Sequence, residues 1–206
     1  MNLPNKITLS RIFLVPIFML FVVPLPTWIL NNELLNFLHP QIVAINNFIN
    51  LRGNYIAAVF FIIAASTDGV DGYIARKTKQ VTRFGKFLDP IADKLLVTAA
   101  LIALVERSEV TAWAAMIIIG REFIVTGLRL VAAGEGIVIS ASIWGKIKTV
   151  TQMVAIGASL VKNYPISFFV NFAFDRYFML VAVIITIYSG YDYIVKNIKI
   201  IDYEST

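Results

Sequence analysis

The chain has no cysteine and a single histidine, His39, among its 206 residues. Without cysteine, neither a disulfide framework nor a thiolate metal site can be built. One histidine excludes multi-histidine zinc centres and removes the usual general base. No internal repeat, interdomain linker or low-complexity segment interrupts the sequence. No cleavable leader is expected, because the first apolar run is long enough to span a membrane and lacks a small-residue cleavage site.

What the chain has is apolar bulk. Hydrophobic residues make up 58% of it and the mean hydropathy is +0.77, against roughly 45–50% apolar residues in soluble domains. The excess lies in long runs: Ile12–Leu30, Tyr55–Thr67, Leu95–Val105, Trp113–Ile119 and Phe178–Ser189. The reading is one all-α integral membrane domain over residues 1–206. Six transmembrane helices are expected near 8–30, 54–76, 88–107, 111–133, 143–162 and 175–195. Met1–Ile7 should lie at the interface, and Asn31–Gly53 is too polar to span, so it reads as an outer loop. The tail Asp192–Thr206 is polar.

Lys and Arg set the orientation. With the N-terminus inside, 14 of the 18 basic residues fall on the inner side. Only Arg52, Arg107, Lys162 and Arg176 remain outside, so both termini should be cytosolic. The net charge of +5 suits anionic lipid and anionic substrates.

Four aspartates stand at the inner ends of the second and third spans. The run is Asp68-Gly-Val-Asp71-Gly72-Tyr-Ile-Ala75-Arg76, then eight residues, then Gly85-Lys-Phe-Leu-Asp89-Pro-Ile-Ala-Asp93. Spacings of three and four put each pair on one helix face. The short basic connection lets the two helices be antiparallel neighbours whose aspartate faces converge. Four carboxylates at one point repel strongly at low dielectric. Two divalent cations would neutralise them, and an all-oxygen donor set favours Mg²⁺ or Mn²⁺. Gly72 and Gly85 leave room for close approach of a nucleotide or backbone, and Arg76 is placed for a phosphate contact. Salt bridges to Arg76, Arg83, Lys86 and Lys94 are the plainer alternative. The set of four weighs against it, since each buried ion costs several kcal/mol unless well paired.

This run resembles the signature of the CDP-alcohol phosphotransferase family, D-x₂-D-G-x₂-A-R-x₈-G-x₃-D-x₃-D. Every fixed position matches: Asp68, Asp71, Gly72, Ala75, Arg76, Gly85, Asp89 and Asp93. The resemblance implies displacement at phosphorus on the cytosolic side of a plasma-membrane protein. The hydroxyl of an alcohol attacks the lipid-side phosphorus of CDP-diacylglycerol, and CMP leaves. It further implies that Asp68, Asp71 and Asp89 hold metal, and that Asp93 is the general base and touches one metal. A homodimer is also implied. Pro4-Asn5-x₂-Thr8-x₂-Arg11 is similar to the family's N-terminal segment, making Asn5, Thr8 and Arg11 candidates for the CDP-lipid site with Gly72, Arg76 and Gly85. Read from the residues alone, Thr8 caps the first helix and Arg11 anchors it.

The acceptor is read from four cations. Arg121 lies inside a predicted span, where a charge is a functional candidate; its plainer role is a buried pair with Glu122. Arg129 is two turns further along the same helix. Lys146 and Lys148 stand at the inner start of the fifth helix, where ordinary positive-inside anchoring would also place them. A neutral acceptor needs no such cluster and a phosphorylated one does. These segments resemble those of the family branch that takes glycerol 3-phosphate and makes phosphatidylglycerol phosphate. That carries acceptor-phosphate binding over to Arg121, Arg129, Lys146 and Lys148. Inositol phosphate is the rival acceptor. An intramembrane prenyltransferase would require a second Asp-rich cluster, which is missing. A cation-coupled transporter using the Asp cluster would require polar groups at the midplane or on both sides.

Overall fold

The computed structural model describes residues 3–78, 83–134, 136–137, 139–140, 142–164 and 172–201; within these, side chains are described outside residues 3–7, 67–90, 93 and 199–201. All regular structure among the described residues is helical. The elements are α1 (Leu3–Val22), α2 (Thr27–Leu30), a 3₁₀ segment (Glu33–Leu38), α3 (His39–Phe48), a π-helical turn (Ile49–Gly53), α4 (Asn54–Thr78), α5 (Arg83–Glu106), α6 (Ala112–Gly134), α7 (Ile143–Leu160) and α8 (Phe174–Ile201). Two stretches, Glu33–Ser66 and Phe174–Ile198, are long and apolar enough to cross a membrane; Thr8–Val22 is a shorter apolar helix. The chain forms two compact units, Met1–Glu109 and Val110–Thr206.

In the first unit, α1 packs on α4 and α5. Its buried residues Thr8, Arg11, Val15, Phe18 and Val22 recur at alternating steps of three and four, one continuous seam. Phe18 meets Phe61 of α4 at 6.4 Å between ring centroids, and Phe21 stacks on Phe60 at 5.7 Å. The buried positions of α5 alternate small and large residues: Ala92, Ala99, Ala100 and Ala103 beside Leu96, Leu101 and Leu104. Small residues let helices approach closely where apolar burial gives no drive between them, as in lipid. Phe13 and Leu20, off the seam, are exposed.

Three expectations are corrected here. Asn31–Gly53 is not a loop. It is helical almost throughout and continues into α4. Its amides serve as caps and ties: Asn32 accepts from the Leu34 N–H at 3.0 Å and Asn46 Oδ1 from the Leu25 N–H at 3.0 Å. The first helix ends at Val22 rather than residue 30, where Pro24 and Pro26 follow. Thr8 is also no cap. The helix begins at Leu3, so Thr8 sits buried in its interior.

The end of the first unit distal to the aspartates is tied by Arg107. It donates to the Val22 carbonyl at the end of α1 at 2.9 Å and to the Asn50 carbonyl in the π-helical turn at 3.1 Å, joining these two segments. Gly53 lies beneath this tie. A Cβ there would stand 2.0 Å from the Phe21 carbonyl oxygen, so only glycine permits the approach.

In the second unit, α8 packs against both α7 and α6. Buried Asp175, Met179, Ala182, Thr186, Ser189 and Tyr193 of α8 repeat at steps of four and three. Lys148, Gln152, Ala155, Ser159 and Leu160 form the matching stripe of α7. Polar groups face inward and Leu180, Ile184, Ile187 and Tyr191 face outward, the arrangement expected of a bundle surrounded by lipid. Gln152 Nε2 donates to Thr186 Oγ1 at 2.8 Å inside this seam. Helix α7 starts on a cap, with Ser142 Oγ accepting from the Gly145 N–H at 3.1 Å. It ends with Lys162 and Asn163 at positive φ, where the Asn163 N–H reaches the Ala158 carbonyl at 3.2 Å.

Gly53→Ala should destabilise the protein by about 1–3 kcal/mol through overpacking against backbone. Gly157→Ala, where a Cβ meets nothing within 4 Å, should be neutral or slightly stabilising. Thermal unfolding in detergent checks both. Equal midpoints for the two variants would contradict the close approach at Gly53.

Candidate active site

The aspartate motif belongs to the first unit. Asp68, Asp71, Gly72 and Arg76 are carried by α4, and Gly85, Asp89 and Asp93 by α5. Both helices run unbroken through these positions, so each aspartate pair shares a helix face as its spacing requires. The two helices are in contact. The side chains of all seven residues, and of Asn5, lie outside the described residues. The donor set is carboxylate oxygen only, which fits Mg²⁺ or Mn²⁺ and not a thiolate- or imidazole-seeking metal.

The N-terminal segment meets the same unit. Thr8 and Arg11 are both buried in α1, with Arg11 only 2% exposed. Their spacing of three puts them on the face that packs on α4 and α5. An arginine buried to this degree must be held by specific partners, because its charge cannot be left in an apolar interior.

The second unit assembles three of the four predicted cations around α8. Arg121 on α6 donates from Nη2 to Ser189 Oγ at 2.7 Å, and its Nη1 lies 3.4 Å from Glu122 Oε1. Glu122 Oε1 also pairs with Lys148 Nζ of α7. The Lys148 side chain is 5% exposed, so this pair is a buried tie between α6 and α7. Arg129 donates from Nε to Tyr193 Oη at 3.0 Å and is otherwise exposed. Lys146 is two residues from Lys148 on the same helix and is exposed; it does not share the buried face. Arg121 Nε is buried without a hydrogen-bond partner among the described residues, a donor left over for a ligand or water.

Three contributors were missed from the sequence: Ser189, Gly190 and Tyr193 of α8. A Cβ at Gly190 would stand 3.2 Å from Arg121 Cγ, so the glycine gives the arginine its path across α8. The available signal was the run Ser189-Gly-Tyr-Asp-Tyr193, a polar notch in an otherwise apolar helix. It was divided between the last span and the tail.

The family model described as CDP-alcohol phosphatidyltransferase matches residues 1–188, through both units. Similar proteins named CDP-diacylglycerol–glycerol-3-phosphate 3-phosphatidyltransferase occur in several bacteria. The one from Bacillus subtilis is 49% identical over 199 residues, 95% of each chain. That of Haemophilus influenzae is 39% identical over 165 residues, 77% of this chain and 75% of its own. That of Rickettsia bellii is 34% identical over 192 residues, 93% of each chain.

Glu122→Gln keeps the shape of the bridge and removes its charge. It should cost about 2 kcal/mol, lowering the unfolding midpoint by roughly 4–8 °C, with Glu122→Asp falling in between. An unchanged midpoint for Glu122→Gln would mean the bridge contributes nothing to stability.

Proposed function

The chain belongs to the CDP-alcohol phosphatidyltransferase family, and from that premise we propose that it transfers the phosphatidyl group of CDP-diacylglycerol to glycerol 3-phosphate. The products are phosphatidylglycerol phosphate and CMP, a step of phospholipid synthesis. The observation that carries this reading is the 49% identity, over 95% of both chains, to a relative named for that reaction. The cationic second unit supports a phosphorylated acceptor over a neutral one.

Asp68, Asp71 and Asp89, with Asp93 contributing, would hold two divalent ions, Mg²⁺ or Mn²⁺. Such ions neutralise pyrophosphate charge and ease departure of the nucleotide. Asn5, Thr8, Arg11, Gly72, Arg76 and Gly85 bind the CDP-lipid. Asp93 accepts the proton of the acceptor hydroxyl. The hydroxyl oxygen forms a bond to the lipid-side phosphorus as the bond from that phosphorus to the bridging oxygen breaks, and the electron pair leaves with CMP. Arg121, Arg129, Lys146 and Lys148 bind the acceptor phosphate.

Residues 1–206 act as a single membrane domain; the family match running through both units supports this. Helices α1 and α4–α8 are read as six spans with both termini in the cytosol, supported by the inner-side excess of Lys and Arg. The active site then faces the cytoplasm from the plasma membrane, and the working form is a homodimer.

Asp93→Asn should lower CMP release by about 10²–10⁴-fold while the protein still folds, as judged by its elution and unfolding midpoint. A rate near wild type would remove Asp93 as the base. Lys146→Ala should raise the KM for glycerol 3-phosphate more than that for CDP-diacylglycerol; an unchanged acceptor KM would take Lys146 out of the pocket.

A further inference from the structure

Arg121 and Arg129 are eight residues apart on α6, so their backbones are separated by about 12 Å along the helix. Their partners on α8, Ser189 and Tyr193, are four apart, about 6 Å. The two side chains reach across to α8, Arg121 to the short side chain of Ser189 and Arg129 to the long one of Tyr193. Ser189 and Tyr193 both lie on the buried stripe of α8, so their positions are fixed by packing and not by the arginines. Gly190 beside them leaves the clearance that Arg121 needs.

The kind of partner matters as much as the spacing. Lys148 is held by a carboxylate, Glu122, whose same oxygen also lies 3.4 Å from Arg121. Arg129 is held by a hydroxyl and Arg121 chiefly by one. A neutral oxygen fixes a guanidinium without cancelling it. Among the described residues of this cluster, one carboxylate stands against three cations, leaving two positive charges. A phosphate monoester carries about −1.5 to −2 at neutral pH, so the surplus matches it.

We propose that Ser189 and Tyr193 are positioning residues, which hold Arg121 and Arg129 through neutral oxygens so that the cluster keeps a positive surplus for the phosphate of the acceptor. This deepens the reading of the second unit given under Proposed function and rests on it. Neither residue touches the reacting atoms; each acts through the arginine it holds.

The test measures the two Michaelis constants of purified Ser189→Ala, Tyr193→Phe and Arg121→Lys, with CMP release as the readout and glycerol 3-phosphate and CDP-diacylglycerol varied in turn. Ser189→Ala and Tyr193→Phe each remove one hydroxyl and little else. Each should raise the KM for glycerol 3-phosphate by roughly tenfold, leaving the KM for CDP-diacylglycerol and the unfolding midpoint in place. Ser189→Thr, which keeps the hydroxyl, should recover most of the loss. Ser189→Ala added to Arg121→Lys should cost much less than it does alone, because the two act as one unit. Unchanged acceptor KM values in both hydroxyl variants, with Arg121→Lys raised, would overturn the positioning role alone. An unchanged KM in Arg121→Lys as well would overturn the acceptor-site reading and the positioning role with it. Equal rises in both Michaelis constants with a lowered midpoint would reduce Ser189 and Tyr193 to structural residues and overturn the proposal.

Discussion

Charge cannot be left alone in an apolar interior. Each buried ion costs several kcal/mol unless a partner of suitable geometry meets it, and this chain buries several. Arg11 sits in the seam of α1, and Lys148 and Arg121 sit in the second unit with side chains 5% and 11% exposed. The helices are arranged around the groups that satisfy these charges. Glu122 ties Lys148 to α6, and Ser189 and Tyr193 hold the arginines on α8.

The rest of the fold keeps a mostly apolar core and presents large apolar side chains outward as well. Three helices carry a stripe of buried residues at alternating steps of three and four, and each stripe includes polar groups: Thr8 and Arg11 on α1, Gln152 and Ser159 on α7, Thr186 and Ser189 on α8. The outward faces are leucine, isoleucine and aromatic. In lipid, apolar burial does not drive helices together, so close packing and internal hydrogen bonds must. Alanine on α5 and glycine at positions 53 and 190 supply the first, and pairs such as Gln152 with Thr186 supply the second.

Much of this was legible in the sequence. Helices α4 to α8 fall within several residues of the expected segments, because long apolar runs have few other solutions, whereas α1 starts and stops earlier than expected. The aspartate run names its chemistry through eight fixed positions, and the family match agrees. The failures have local causes. Asn31–Gly53 looked too polar to span and so read as an outer loop. In the structure its asparagines cap and tie helical segments. Thr8 looked like a cap because hydropathy starts the first helix near it, whereas the helix begins five residues earlier. Ser189 and Tyr193 escaped notice because a hydroxyl on an apolar helix gains meaning only when an arginine from another helix reaches it. That pairing is a tertiary fact.

Under the proposed function each unit supplies one set of charges. The first carries the carboxylates that suit a metal-bound pyrophosphate. The second carries guanidinium groups held by neutral oxygens, with charge to spare for a second phosphate. The central claim is therefore that the acceptor is recognised by its phosphate. The direct test is CMP release by the purified protein with Mg²⁺ and CDP-diacylglycerol, offered glycerol 3-phosphate, glycerol, inositol phosphate or serine in separate reactions. The account predicts rapid release with glycerol 3-phosphate and little with glycerol or serine. Release with glycerol as fast as with glycerol 3-phosphate would contradict it.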